Sequence, residues 1–321
     1  MRFLLVGGIG YVGGRLAAHL KQQGHYVCVT TRRPVQQAPS WLKADDVAQV
    51  NPYDAATLKT SLSSIDVVID LAAPDEVKSN QDPKEALKAG REATTTILQA
   101  VSECPHPPAV IYLSTFHVYG TNARGRVDET TIPAPIHPYA VGKYEGERVM
   151  QEFRQKKKME GLCVRLSNAF GAPAGIDVPR WTLVFNDLCR QAVAQQKLVL
   201  KSAGKQRRNF ISLSDAVRAL EFLSLNRSSW PKDGIIHVGS IDHWSILEAA
   251  NKVAECTKDL FGYLPSVIVP KDAPAEKGSE FEFSVERLRQ LGFTWTSSWE
   301  EEIKATLTLC QAANRSISNH A

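Results

Sequence analysis

The chain has 321 residues, 43% hydrophobic and 22% charged, which is enough apolar material for one large domain or two modest ones. Its net charge of +4 suits an anionic small molecule, but it is too weak and too dispersed to mark a nucleic-acid-binding surface. Six cysteines without a C-x-x-C pair and eight histidines without an H-E-x-x-H spacing argue against a disulfide frame and a metal site.

The opening apolar residues Met1 to Val6 are interrupted by Gly7, Gly8 and Gly10 and flow into an amphipathic helix, so they do not read as a secretory leader. No apolar run approaches the roughly 18–20 residues that cross a bilayer, and a cytoplasmic location is expected. FLLVG (3–7) reads as a buried strand, and residues 11–23 as a helix with Val12, Leu16 and Leu20 on one face. YVCVT (26–30) is a second strand. After a looser stretch, a helix near 55–62 leads into the strand IDVVIDLAA (65–73). Residues 86–101 read as helix, AVIYLST (109–115) as strand, 139–157 as a long helix and LCVRL (162–166) as strand. The basic end of the long helix, Lys156, Lys157 and Lys158, reads as a solvated face. Strands bounded by helices imply an α/β fold built on a Rossmann-type, doubly wound parallel sheet.

After Asn168 the alternation loosens, and proline and glycine crowd residues 171–179. Residues 1–167 are therefore expected to form the first domain. Residues 168–321 mainly form a smaller α/β substrate-binding domain, built from about 168–204 and 236–321. The segment at about 205–235, around Phe210 to Leu223, returns to the first domain.

The segment VGGIGYVGG places Gly7, Gly10 and Gly13 three apart, between a strand and a helix. Gly7 permits the turn, Gly10 lets backbone approach a pyrophosphate, and Gly13 allows helix to pack close on strand. The helix N-terminus offers free N–H donors to the phosphates. The next strand ends VTTRRP: Thr31 stands near the place where an acidic residue would bind the adenosine ribose of NAD, and Arg32 and Arg33 follow. Two guanidinium groups without a carboxylate suit a 2′-phosphate, which favours NADP(H) over NAD(H).

Tyr139 and Lys143 form Y-x-x-x-K at the start of the long helix. Residues four apart share a helical face, so the ammonium is expected beside the phenol, lowering its pKa from ~10. Thr115, ending the preceding strand, supplies a hydroxyl to orient a carbonyl or alcohol oxygen.

At this point the chain resembles the extended short-chain dehydrogenase/reductase family, the NAD(P)-dependent nucleotide-sugar epimerase/dehydratase/reductase group. The resemblance rests on VGGIGYVGG (6–14), IDVVIDLAA (65–73), LSTFHVYG (113–120) and VDETTIPAPIHPYAVGK (127–143). It continues through VRLSNAFGAP (164–173), RRNFISLSDAV (207–217) and IIHVGS (235–240). It implies that Thr115, Tyr139 and Lys143 are the catalytic hydroxyl, acid/base and lysine, with Tyr139 and Lys143 also against the cofactor. Tyr11, Val12, Leu71, Ala72 and Ala73 would line the dinucleotide. Asn168 and Arg208 look like the residues that hold the diphosphate of a nucleotide-sugar. The same likeness implies a homodimer packed through helices at about 84–102 and 139–157.

Where the family's dehydratases place Asp and Glu after the threonine, this chain has Phe116 and His117, which weakens a dehydration reading. His117 is either a second acid/base group or a packed histidine. Gly90 stands where an asparagine is usual, and looser local hydrogen bonding is expected there. The leading expectation is an NADP(H)-dependent enzyme acting on a nucleotide-activated sugar by reducing a 4-keto group. A 4-epimerase, a reductase of non-sugar ketones and a non-catalytic dinucleotide sensor are the alternatives.

Overall fold

Strands that are apolar on both sides can be buried only if helices cover both faces of their sheet. The computed structural model, which describes residues 1–42, 46–120, 123–157, 159–178, 180–271 and 281–318, has this arrangement. From the N-terminus, β1 (Arg2–Val6), α1 (Tyr11–Gln22), β2 (Tyr26–Thr31), β3 (Val47–Gln49), α2 (Ala55–Ser61) and β4 (Val67–Asp70) make the first half of the sheet region. Then come α3 (Glu76–Gln81), α4 (Pro83–Lys88), α5 (Thr94–Ser102), β5 (Ala109–Thr115), β6 (Gly125–Val127), α6 (Pro138–Lys157) and β7 (Gly161–Leu166). A second lobe opens with β8 (Asn168–Phe170), α7 (Val184–Gln195), β9 (Lys197–Val199) and β10 (Arg207–Ser212). The chain returns through α8 (Leu213–Leu225) and β11 (Ile235–Val238). The remaining elements are β12 (His243–Ser245), α9 (Ile246–Phe261), β13 (Ser266–Ile268), β14 (Phe281–Phe283), α10 (Glu286–Gln290) and α11 (Trp299–Ser318).

Seven parallel strands lie in the order β11-β7-β5-β4-β1-β2-β3. The winding direction reverses between β1 and β4, which opens a crevice at the carboxyl ends of those strands. On one face α1 and α8 bring Leu16, Leu20, Leu220 and Leu223 against Phe3, Leu5, Val27 and Val29. On the other, α2, α5 and α6 bring Leu58, Ile97, Val101 and Met150 against Leu4, Val68 and Val110. The second lobe has its own core, where Phe185, Leu188, Phe210, Val253, Ile303 and Leu307 meet beside the sheet β12-β10-β8. Polar ties from α1 help to join the lobes. Arg15 of α1 donates to Glu302 of α11 at 2.7 Å, and the Tyr11 hydroxyl donates to the Gly171 carbonyl at 2.7 Å.

The structure departs from the sequence reading in four places. The strand expected over 65–73 ends at Asp70, because Leu71 onward lines the crevice. The looser stretch after β2 contains the three-residue strand β3. The helix expected over 86–101 is broken by a wide π turn at Ala89–Ala93. Gly90 lies in this turn, and a Cβ there would collide with the Gly142 carbonyl of α6, so the glycine serves close helix contact and not loosened hydrogen bonding. Finally, β11 extends to Val238, past the expected boundary at 235, and Leu288 and Phe293 also join the first core. Lys156 and Lys157 are exposed, and Lys158 lies outside the described residues. No described helix is long and apolar enough to cross a membrane.

Candidate active site

The glycine turn sits at the crevice. Gly7 has φ +74°, a left-handed conformation, and a Cβ there would lie 2.9 Å from the Ala72 backbone. At Gly13 a Cβ would lie 2.5 Å from the Gly8 carbonyl, so α1 packs tightly on the turn. Gly10 is different: a Cβ would meet only the Gly7 carbonyl at 3.8 Å, and the space beside it belongs to the cavity. No side chain caps α1, and its first turn contains no acid. A cradle without Cβ atoms, facing an uncapped helix N-terminus, fits a pyrophosphate.

Thr31 is buried at the end of β2, and its hydroxyl accepts from the Arg33 amide at 3.1 Å. Arg32 and Arg33 are exposed on the cavity rim and form no ion pair with a described residue. Two guanidinium groups without a partner carboxylate fit an anionic group on the adenosine end. Tyr53 also lines this wall, with its hydroxyl donating to Glu85 at 2.9 Å.

Deeper in the cavity, β5 ends in Thr115, whose hydroxyl acts on the Tyr139 phenol. The threonine hydroxyl also caps the short turn Phe116–Tyr119, accepting from the His117 amide at 3.3 Å. Tyr139 opens α6, and Lys143 follows one turn later, 5% exposed. The expectation that the ammonium would lower the phenol's pKa does not hold, since the phenol is raised. Lys143 Nζ donates to the Leu113 carbonyl at 2.8 Å. Burial pushes the Tyr139 phenol above its usual range, Glu76 adds to the rise, and Arg180 and the Thr115 hydroxyl oppose it. Burial also pushes Lys143 down to about 8, against the pull of Asp70, Glu147 and Glu76.

Asp70, which ends β4, is itself pushed up to about 6 by burial. Lys143 and the Ala72 amide, 3.0 Å away, hold it from rising further. His117 is pushed down to about 4 by burial. Its Nδ1 is 3.4 Å from the Thr115 hydroxyl, and its ring is 6.3 Å from that of Tyr139. Phe116 packs against Phe281 and Phe283, an apolar contact with no means of moving protons.

The strand end is braced from behind. Ser114 hydrogen-bonds Glu147 at 2.5 Å, and Glu147 is paired with Arg165, whose Nη1 donates to the Tyr119 hydroxyl at 2.6 Å. This buried network fixes both ends of the segment that carries Thr115 and His117.

At the second lobe, the Asn168 amide donates to the Asn209 carbonyl at 2.9 Å, and Arg208 donates to Gln206 at 2.8 Å. Every residue expected to act in catalysis, cofactor binding or diphosphate binding, from Gly7 to Arg208, lines one cavity of about 980 Å³ between the lobes. Sequence reasoning missed Asp70, Asp75, Glu76 and Arg180. Arg180 donates to Glu76 at 2.8 Å across the cavity. Two acids directly after the strand-end segment LAAP were the available signal.

Residues 3–239 match the NAD dependent epimerase/dehydratase family. An uncharacterized UDP-glucose epimerase of Bacillus subtilis is 25% identical over 233 residues, 68% of this chain and 71% of that protein. A dTDP-6-deoxy-L-talose 4-dehydrogenase (NAD(P)+) of Kitasatospora kifunensis is 25% identical over 285 residues, 88% of this chain and 86% of its own. The crystal structure of UDP-glucuronic acid 4-epimerase from Bacillus cereus superposes with a TM-score of 0.77 at 21% identity, covering 98% of this chain and 100% of that one. The glycine cradle, the strand order and this match over three-quarters of the chain lead to one assignment: the protein belongs to the NAD dependent epimerase/dehydratase family and is an enzyme of the extended short-chain dehydrogenase/reductase type.

Proposed function

We propose that the enzyme uses NADP(H) to transfer hydride at a nucleotide-activated sugar, in the direction that reduces a 4-keto group. The observation that carries this reading is that Thr115, Tyr139 and Lys143 line the same cavity whose rim bears Arg32 and Arg33. The nicotinamide group, when bound, supplies or accepts the hydride. The chain handles the oxygen and its proton. Thr115 and Tyr139 present two hydroxyls to one carbonyl oxygen, where negative charge develops during reduction. Tyr139 is kept protonated by burial and serves as the acid that gives its proton to that oxygen. Lys143, anchored on the Leu113 carbonyl, lines the same cavity and would hold the nicotinamide ribose. His117 is neutral at pH 7, so it can take a proton there but holds none to give as an imidazolium. Arg208 presents a guanidinium fork for the diphosphate, and Asn168 retains one amide N–H beyond the bond it gives to Asn209. A homodimer packed through residues 84–102 and 139–157 belongs to the same reading.

A 4-keto nucleotide-sugar added to enzyme and NADPH should consume the cofactor mole for mole. Tyr139→Phe should lower kcat by roughly 10²–10⁴-fold. The second reading, a 4-epimerase, is supported by the names of two of the relatives. Interconversion of two nucleotide-sugars without net cofactor change would decide for it.

A further inference from the structure

The sugar end of the cavity holds a charge pair that hydride transfer does not use. Arg180, from the second lobe, donates to Glu76 Oε2 at 2.8 Å, and its other terminal nitrogen lies 3.7 Å from Asp75 Oδ2. Both carboxylates come from the segment after β4, so the pair spans the cleft. The guanidinium is 18% exposed and lines the cavity with both acids. Its backbone is fixed as well, because the Arg180 carbonyl accepts from Asn186 Nδ2 at 3.1 Å. These charges bear on the reacting groups. Glu76, Arg180 and Asp75 all act on Tyr139, and Glu76 also acts on His117 and Lys143.

Two carboxylates facing one guanidinium leave this three-residue cluster with one net negative charge. A free guanidinium here would grip a sugar carboxylate through two parallel hydrogen bonds. Arg180 is already held by Glu76, and a sugar carboxylate would have to displace that partner and stand as a third anion in a partly desolvated place. Sugar hydroxyls meet no such conflict, since they can donate to the acids and accept from the guanidinium. Resting on the nucleotide-sugar reading, we propose that Glu76 and Asp75, by occupying Arg180, make the enzyme select nucleotide-sugars that carry no carboxylate.

Equilibrium binding of UDP-glucose and UDP-glucuronate to the cofactor-saturated enzyme tests this, because the two probes differ in one carboxylate. Wild type should hold UDP-glucose at least about tenfold more tightly, equivalent to ~1.4 kcal/mol. Glu76→Gln combined with Asp75→Asn should erase or reverse that preference by tightening UDP-glucuronate. Asparagine remains a good cap for α3, where Asp75 accepts from the Lys78 amide, so the fold is kept. Adding Arg180→Ala should remove the gain in UDP-glucuronate binding. Equal wild-type affinities overturn the proposal and leave the nucleotide-sugar reading standing. So does a preference unchanged in an acid-to-amide variant that melts at the wild-type temperature. If neither probe binds wild type or variant, the nucleotide-sugar reading falls and takes this proposal with it.

Discussion

Replacing Glu147 by leucine should cost about 3–5 kcal/mol of folding stability. The size follows from what surrounds the pair. Glu147 and Arg165 are 3% and 2% exposed, so water cannot take over a lost contact. Arg165 gives Nε and Nη2 to the carboxylate at 3.0 and 2.7 Å, and only Nη1 goes elsewhere, to Tyr119. In Glu147→Leu the guanidinium keeps that single hydroxyl and becomes an unpaired buried cation. Ser114 loses its acceptor too, an added cost of about 1–3 kcal/mol if the hydroxyl stays unsatisfied. Removing the stranded charge should reverse most of the damage, so Glu147→Leu with Arg165→Met should be more stable than Glu147→Leu alone. Urea unfolding followed by tryptophan fluorescence reads these two variants and Arg165→Met alone, with equal m-values confirming that the same surface unfolds. A Glu147→Leu loss below about 1 kcal/mol, or a double variant whose loss is the sum of the single ones, would refute the argument.

Three further outcomes are expected. Arg32→Ala and Arg33→Ala should each weaken NADPH binding by roughly tenfold and leave NADH binding unchanged, as charge-assisted phosphate bonds imply; equal losses for both cofactors in a titration would remove the 2′-phosphate role. Asp70→Asn should stabilise the protein progressively from pH 4 to 6: folded Asp70 has its pKa raised from 3.8 to about 6, so the folded state binds the extra proton and wild type loses that stability as pH rises. A variant-minus-wild-type difference that is flat across this window in urea unfolding would contradict the assignment. The same change removes a carboxylate that holds Lys143 up, so an alkaline limb of activity near 8 should move to lower pH. Gly90→Ala should destabilise by about 1–3 kcal/mol through its clash with the Gly142 carbonyl, where helix propensity alone would stabilise by about 1; the sign of the change in thermal denaturation decides between them.

The sheet was legible because its strands are apolar on both faces, and LLV, VCV and VVI leave no room for solvent alternation. The three residues of β3 carry no such signal, and the edge strand β11 is four residues long, so the expected lobe boundary fell inside it. In the site, spacing brought Tyr139 and Lys143 into one cavity but missed that burial raises the phenol. A one-turn separation reveals a shared helical face. It does not reveal that a backbone carbonyl at Leu113, thirty residues earlier, binds the ammonium. The Glu76–Arg180 pair was invisible for the same reason, since 104 residues separate partners that only the closed cleft brings together. Gly90 shows a subtler limit. Its role depends on how near another helix passes, a distance that the local pattern does not encode.

The tie between Arg15 and Glu302 sets a schedule for the protein's synthesis. The first parallel strands and α1 can collapse soon after they leave the ribosome, because their partners are near in sequence. The last of the anchors that tie the second wall of the cleft to α1 lies 287 positions after its partner. At about 5–20 residues per second that is a wait of roughly 15–60 s. During it the nascent chain holds an assembled glycine cradle facing an unfinished lobe. Contacts between distant segments also slow folding itself, since the loop between them must be closed before they form. The nascent enzyme should therefore gain its dinucleotide cradle well before its sugar pocket, and the interval between them is a period of exposed apolar surface in which a chaperone would have something to bind.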